Sequence, residues 1–322
     1  MSSFFMDPIL QTLMGIYALL IAASVITVLL RKSSSGRGGG ELEQRVKSWW
    51  IMVTIFTVAM MLSRNISLSF FGFISFLALK EYFSIIPTRR ADRRVLFWAY
   101  LAIPIQFYWA SIEWYGMFII FIPVYLFLFL PMRMVMIGET KQFLQAAGTI
   151  HWGLMTMVFG ISHLAYLLVL EGWEGSQRGG VGLVLFLVML TQLNDVAQYV
   201  WGKSLGKHKI IAKVSPNKTW EGFLGGVGTT TLLSVGLAGL LTPFSPGMAV
   251  VAGLLISGAG FIGDVTMSAL KRDLGIKDSG SLLPGHGGLL DRIDSLTYAG
   301  PLFFHFVYYF RDYLLEAGSR NA

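Results

Sequence analysis

Residues 268–294 read SALKRDLGIKDSGSLLPGHGGLLDRID, with four Asp, four Lys or Arg and one His between two apolar segments. The rest of the chain makes this charge conspicuous. Of 322 residues, 54% are hydrophobic and 13% charged, with mean hydropathy +0.63. That is too apolar for a soluble domain and too long for one anchor, so the composition predicts a polytopic membrane protein. A segment of about 20 apolar residues crosses the hydrocarbon as a helix, which makes the expected fold all-α. Clear candidates are 9–30, 114–130, 148–170, 181–201, 222–241 and 247–266, and shorter ones are 49–63, 66–79, 95–110 and 297–310. Nine or ten spans are expected.

Basic residues orient them. With the N-terminus outside, the inside connections are 31–48, 80–94, 131–147, 202–221 and 267–296, and they hold 21 of the 25 Lys and Arg. This is the asymmetry of a correctly threaded chain. It places the charged stretch on the cytoplasmic side of a cell inner membrane. The absence of cysteine removes disulfides and thiolate metal sites. A net charge of +7 then points to topology and an anionic partner at the membrane surface, not to nucleic acid. The first apolar run follows Asp7 with no basic residue before it, unlike a cleaved signal peptide, and is expected to be retained. SSSGRGGG at 33–40 reads as a flexible linker that sets the first helix apart. The expected organisation is 1–47 as helix and linker, 48–170 as an N-terminal membrane region, and 171–322 as the catalytic membrane region.

The unusual polar residues gather in two inside connections. In 191–226, Asn194 and Asp195 fall within an apolar helix, where a carboxylate needs a cation or a watery cavity. Tyr199 is one turn beyond, on the same face. Ser215-Pro216 predicts an N-cap and first turn, so a helix carrying Lys218 and Glu221 is expected to start there, its free amides facing the polar layer. A helix start beside a lysine seats phosphate, although each residue singly also fits an ordinary helix start. In the second connection Asp264 sits near a helix end with Lys271 and Arg272 following. Lys277-Asp278 and a Gly-rich turn around His286 come next, and Asp291, Arg292 and Asp294 open the last segment. Acids meeting at one point repel unless a metal neutralises them, and oxygen-only ligands suit magnesium. Three or four acids are gathered here, beside cations fit for phosphate.

This pattern resembles the signature of the phosphatidate cytidylyltransferases: Ser268, Leu270, Lys271-Arg272, Lys277-Asp278, Gly280, Leu283-Pro284, His286-Gly287-Gly288, Leu289 and Asp291-Arg292-Ile293-Asp294. About 17 specified positions in 27 residues exclude chance. The earlier connection is similar to the family's second region through Asn194, Asp195, Gly202, Lys203, Ser215, Pro216, Lys218, Thr219, Glu221 and Gly222, and Glu81-Tyr82 is a faint further match. The resemblance implies transfer of a cytidylyl group from CTP to phosphatidate with magnesium, among membrane lipids, by a homodimer of about nine helices per chain. It also implies a paired-metal centre at Asp264, Asp291 and Asp294.

On that chemistry Lys218, Lys271, Arg272, Lys277 and His286 are the candidate catalytic groups, and Asn194, Asp195, Ser215, Glu221, Asp278 and Arg292 the candidate substrate contacts. Two rivals use similar residues. A CTP-dependent lipid kinase would pass on the terminal phosphate, and a cation-coupled transporter would use the acids within helices.

Overall fold

A computed structural model describes residues 7–33, 39–170, 179–282, 285 and 287–310. Ten long helices make up the described chain: α1 Pro8–Ser33, α2 Gly39–Leu62, α3 Arg64–Ile85, α4 Arg93–Ser111, α5 Tyr115–Ile137, α6 Phe143–Leu168, α7 Gly179–Leu205, α8 Trp220–Leu241, α9 Pro246–Asp273 and α10 Leu290–Tyr309. An isolated β-bridge pairs Lys209 with Thr219. Eight helices are long and apolar enough to cross a membrane. The other two, α4 and α10, begin with charged residues, Arg93-Arg94 and Asp291 to Asp294. The chain is therefore an all-α polytopic membrane protein.

Two helices contain a wide π turn, Phe121–Leu126 in α5 and Leu154–Gly160 in α6. In α5 the turn includes Pro123, which has no amide to give to the preceding turn. Position 63 breaks what would otherwise be one hydrophobic run, because Ser63 caps α3 by accepting from the Ile66 amide at 3.4 Å. Most of the expected linker, 34–38, lies outside the described residues; α1 ends at Ser33, α2 starts at Gly39, and the two helices pack together. Trp50 Nε1 donates to Ser24 Oγ at 3.0 Å, and the Tyr17 and Trp50 rings lie 5.8 Å apart.

Membrane helices gain little from apolar burial against one another, because lipid is as apolar as they are; close backbone approach and hydrogen bonds must hold them. Here α7 and α8 meet along small residues. A Cβ at Gly222 would stand 2.8 Å from the Gln198 carbonyl oxygen and 3.0 Å from the Gly202 Cα. Between α9 and α10 the approach is tighter still, with the Gly263 Cα against the Asp294 carbonyl.

The five basic connections come together at one end of the bundle. Arg89 pairs with Asp92 at 2.7 Å and donates to the carbonyls of Glu139, at 3.3 Å, and Lys141. Arg272 Nε donates to the Val214 carbonyl at 3.2 Å. Gly285, at φ +75°, lies against Gln44 and Arg45 at the start of α2. The opposite end has its own ties: Arg64 pairs with Glu113, whose carbonyl accepts from the Tyr166 hydroxyl at 2.8 Å.

The expected helix start at Ser215-Pro216 is corrected. Residues 215–218 form a turn closed by the Lys218 amide on the Ser215 carbonyl at 3.2 Å, and α8 begins only at Trp220. Ser, Pro and Asn in succession suit a β-turn as well as a helix start. Thr219 then takes the cap: its hydroxyl accepts from the Gly222 amide at 3.2 Å. Thr219→Ala is expected to cost about 1 kcal/mol, read as a lower thermal midpoint in detergent.

Candidate active site

At the basic end, α7, α9 and α10 each deliver one carboxylate to a common polar layer. Asp195 comes from the last turns of α7, and the Ser295 hydroxyl lies 3.2 Å from each of its two oxygens. Asp264 comes from α9 and forms an ion pair with Lys218 at 2.5 Å. Asp294, buried on α10, accepts from the Ser295 amide at 2.8 Å. The three charges act on one another: those of Asp195 and Asp264 repel that of Asp294, and Asp264 repels Asp195. Lys218 and Arg292 offset part of this at Asp195.

Neutral donors support the cluster. Gln198, one turn beyond Asn194, accepts from Lys218 Nζ at 3.1 Å. Asn194 is fully buried, accepting from Thr230 Oγ1 at 3.2 Å and donating to the Ser257 carbonyl at 3.4 Å, which ties α7 to α8 and α9. Two buried donors of this layer have no partner among the described residues, Gln198 Nε2 and Arg292 Nε. An unpaired buried donor is costly, and an anionic ligand would supply the missing acceptor.

The two signature aspartates differ in their contacts. Asp291 accepts from Lys271 Nζ at 2.7 Å, from the Ser279 amide at 3.0 Å and from the Gly288 amide at 3.1 Å, and the Ser279 hydroxyl oxygen lies 2.9 Å away. It holds the connection before α10 in shape, while Asp294, nearly one turn deeper, joins Asp195 and Asp264. Of the acids expected to hold metal, Asp264 and Asp294 thus stand with Asp195, and Asp291 faces the loop. Among the described residues no group of three or more His, Cys, Asp or Glu side chains is placed to hold a metal ion. In donor type alone, the carboxylates of Asp195, Asp264 and Asp294 are the hard oxygens that magnesium takes.

The remaining candidates are more peripheral. Glu221 receives the amides of Lys207 at 3.0 Å and His208 at 3.2 Å, and the His208 ring at 2.5 Å, so it closes the connection before α8. Lys277 and Asp278 are exposed in the long connection, and Arg272 is exposed beside Val214. Tyr199 is exposed, with the Lys203 ammonium over its ring. Ser215 lies in the turn before Lys218. His286, with Leu283 and Pro284, lies outside the described residues.

Glu81, at the end of α3, gave only a faint signal in sequence. Its carboxylate accepts from the Leu289 amide at 2.9 Å, the Leu290 amide at 3.1 Å and the Ser279 hydroxyl at 2.5 Å. Leu289 offers no side-chain cap of its own, so the start of α10 is capped from 208 residues away. A charge at a helix N-terminus is worth about 0.3–1 kcal/mol when exposed, and up to about 2 when partly buried.

The polar layer thus joins carboxylates, lysines and unpaired donors at one end of a membrane protein. The model of the cytidylyltransferase family matches residues 43–310, and the chain belongs to that family of nucleotidyltransferases. It is 46% identical over 299 residues to Uncharacterized protein YnbB of Escherichia coli (strain K12), covering 93% of this chain and 98% of that one. Phosphatidate cytidylyltransferases of Synechocystis sp. and Haemophilus influenzae are 40% identical over 140 residues and 38% over 147, or 42% and 44% of this chain. The matched regions span about half the length of those two enzymes, 47% and 51%.

Proposed function

We propose that the protein transfers a cytidylyl group from CTP to phosphatidate or a closely related lipid phosphate, releasing pyrophosphate and forming a CDP-lipid for phospholipid synthesis. The observation that carries this reading is the meeting of Asp195, Asp264 and Asp294 with Lys218 at the basic end of the bundle, beside the unpaired donors of Gln198 and Arg292. A phosphate monoester has its second pKa near about 6, so the lipid nucleophile is already largely ionised and needs no strong base. The obstacle is repulsion between two polyanions.

The residues address that obstacle. A lipid phosphate oxygen attacks the α-phosphorus of CTP, the bond to pyrophosphate breaks, and the negative charge leaves on pyrophosphate. Lys218 and the Arg292 and Gln198 donors would bind phosphate oxygens and orient them for in-line displacement. Lys271, held by Asp291, and Arg272 and Lys277 near the surface would draw the triphosphate in. Asp195, Asp264 and Asp294 would hold magnesium, which supplies Lewis-acid charge to the reacting phosphates when bound. By the bias of its basic connections this end would face the cytosol, where CTP is, while the lipid keeps its acyl chains between helices.

The test uses purified protein, magnesium, CTP and a panel of lipid phosphates. Label from the α-phosphate is expected in the lipid, with stoichiometric pyrophosphate release. Label entering only from the γ-phosphate would establish a kinase, and no CTP consumption with any lipid would leave the transporter reading.

A further inference from the structure

We propose that Glu81, on a helix outside both signature regions, is a positioning residue for the transfer reaction. Its carboxylate clamps the start of α10 and thereby fixes where Asp294 and Arg292 meet Asp195 and Asp264. The proposal rests on the function above. The first amides of a helix have no partner within it, and here Leu289 and Leu290 give theirs to Glu81 at 2.9 and 3.1 Å. Asp294 is four residues beyond Leu290, about one turn along the same rigid helix. A shift at the clamp is therefore passed to the acid layer with little loss.

Three further contacts fit this role. Glu81 sits in a slot lined by glycine, where a Cβ at Gly280 would stand 3.2 Å from its carboxyl carbon. At Gly288 a Cβ would crowd the Glu81 carboxylate and stand 2.8 Å from the Gly280 amide nitrogen. Ser279 Oγ lies between two carboxylates, 2.5 Å from Glu81 and 2.9 Å from Asp291, linking the clamp to the residue that holds Lys271. The clamp is itself held: its neighbour Tyr82 is buried and donates its hydroxyl to the Thr149 carbonyl at 2.9 Å, anchoring the end of α3 to α6.

The test compares wild type, Glu81→Gln and Glu81→Ala as full-length protein in lipid nanodiscs, reading both turnover and amide hydrogen exchange. Glu81→Ala is expected to lower kcat at least about tenfold, as misplacement of reacting groups does. The KM for CTP should stay within about threefold, because the phosphate-binding cations remain. Exchange should quicken at Leu289 and Leu290 and not in α7 or α8. Glu81→Gln, which keeps one acceptor oxygen, should recover part of kcat and of the protection. Unchanged kcat, or faster exchange spread over the whole bundle, overturns the proposal and leaves Glu81 as ordinary packing. A wild type that transfers nothing from CTP to any lipid phosphate overturns the function instead, and slow exchange at Leu289 and Leu290 then decides the clamp alone.

Discussion

Asp264→Asn is expected to abolish CTP-dependent turnover while leaving the protein as stable as the wild type, or more so. Asp264 is the one acid of the trio in direct contact with a cation, Lys218 at 2.5 Å, and it repels both Asp195 and Asp294. Neutralising it relieves like-charge repulsion while Lys218 keeps the Asp195 charge and the Gln198 oxygen as partners, a change that natural sites forgo for function. The same substitution removes a hard anionic oxygen where phosphate charge must be managed. Preorganised electrostatic groups of this kind are worth about 10²–10³ in kcat. Lys218→Met is expected to lose activity comparably but also stability, because it leaves Asp264 without its counter-ion. The measurements are kcat/KM for CTP and thermal midpoints in one detergent. Turnover of Asp264→Asn within threefold of wild type would show that the acid layer is not the reaction centre.

Gly263→Ala should have a large structural effect for a single added methyl group. A Cβ there would run into the Asp294 carbonyl oxygen and stand 3.1 Å from the Ser295 Cα, all backbone that cannot turn aside. Overpacking typically costs about 1–3 kcal/mol, and relief can come only by parting α9 from α10. That movement separates Asp264 from Asp294, so activity is expected to fall further than stability. Gly258, on the same helix, has nothing within 4 Å of an added Cβ. Gly258→Ala should therefore be neutral, or stabilising by up to about 1 kcal/mol through helix propensity. Equal thermal midpoints and equal activities for the two variants would refute the tight α9–α10 contact.

Hydropathy was a good guide where helices face lipid and a poorer one where they carry chemistry. The six clear segments each fall within a long helix, overrunning its ends by two residues at most, and the weaker candidates 49–63 and 66–79 mark only stretches of the longer α2 and α3. Polar and small residues at helix ends lower the local hydropathy without breaking the hydrogen-bond ladder. At Ser215-Pro216 the local rule favoured the wrong residue, since a Ser-Pro-Asn turn and a helix cap use the same side chains. Thr219 won because its hydroxyl reaches the Gly222 amide once the turn is closed. Glu81 carried only a faint match, since its partners lie about 200 positions away.

From the sequence alone came an all-α membrane chain, the gathering of its basic connections, and the residue types able to handle phosphate. Each of these depends on local composition or spacing, and the solvent around a segment acts on those directly. Tertiary structure decided which acids meet: Asp195 joins Asp264 and Asp294, while Asp291, three residues from Asp294, turns to Lys271 and the loop. That division depends on how α9 meets α7 at Gly260 and α10 at Gly263, and on a carboxylate brought from α3. Contacts between distant segments leave no periodic trace in the chain.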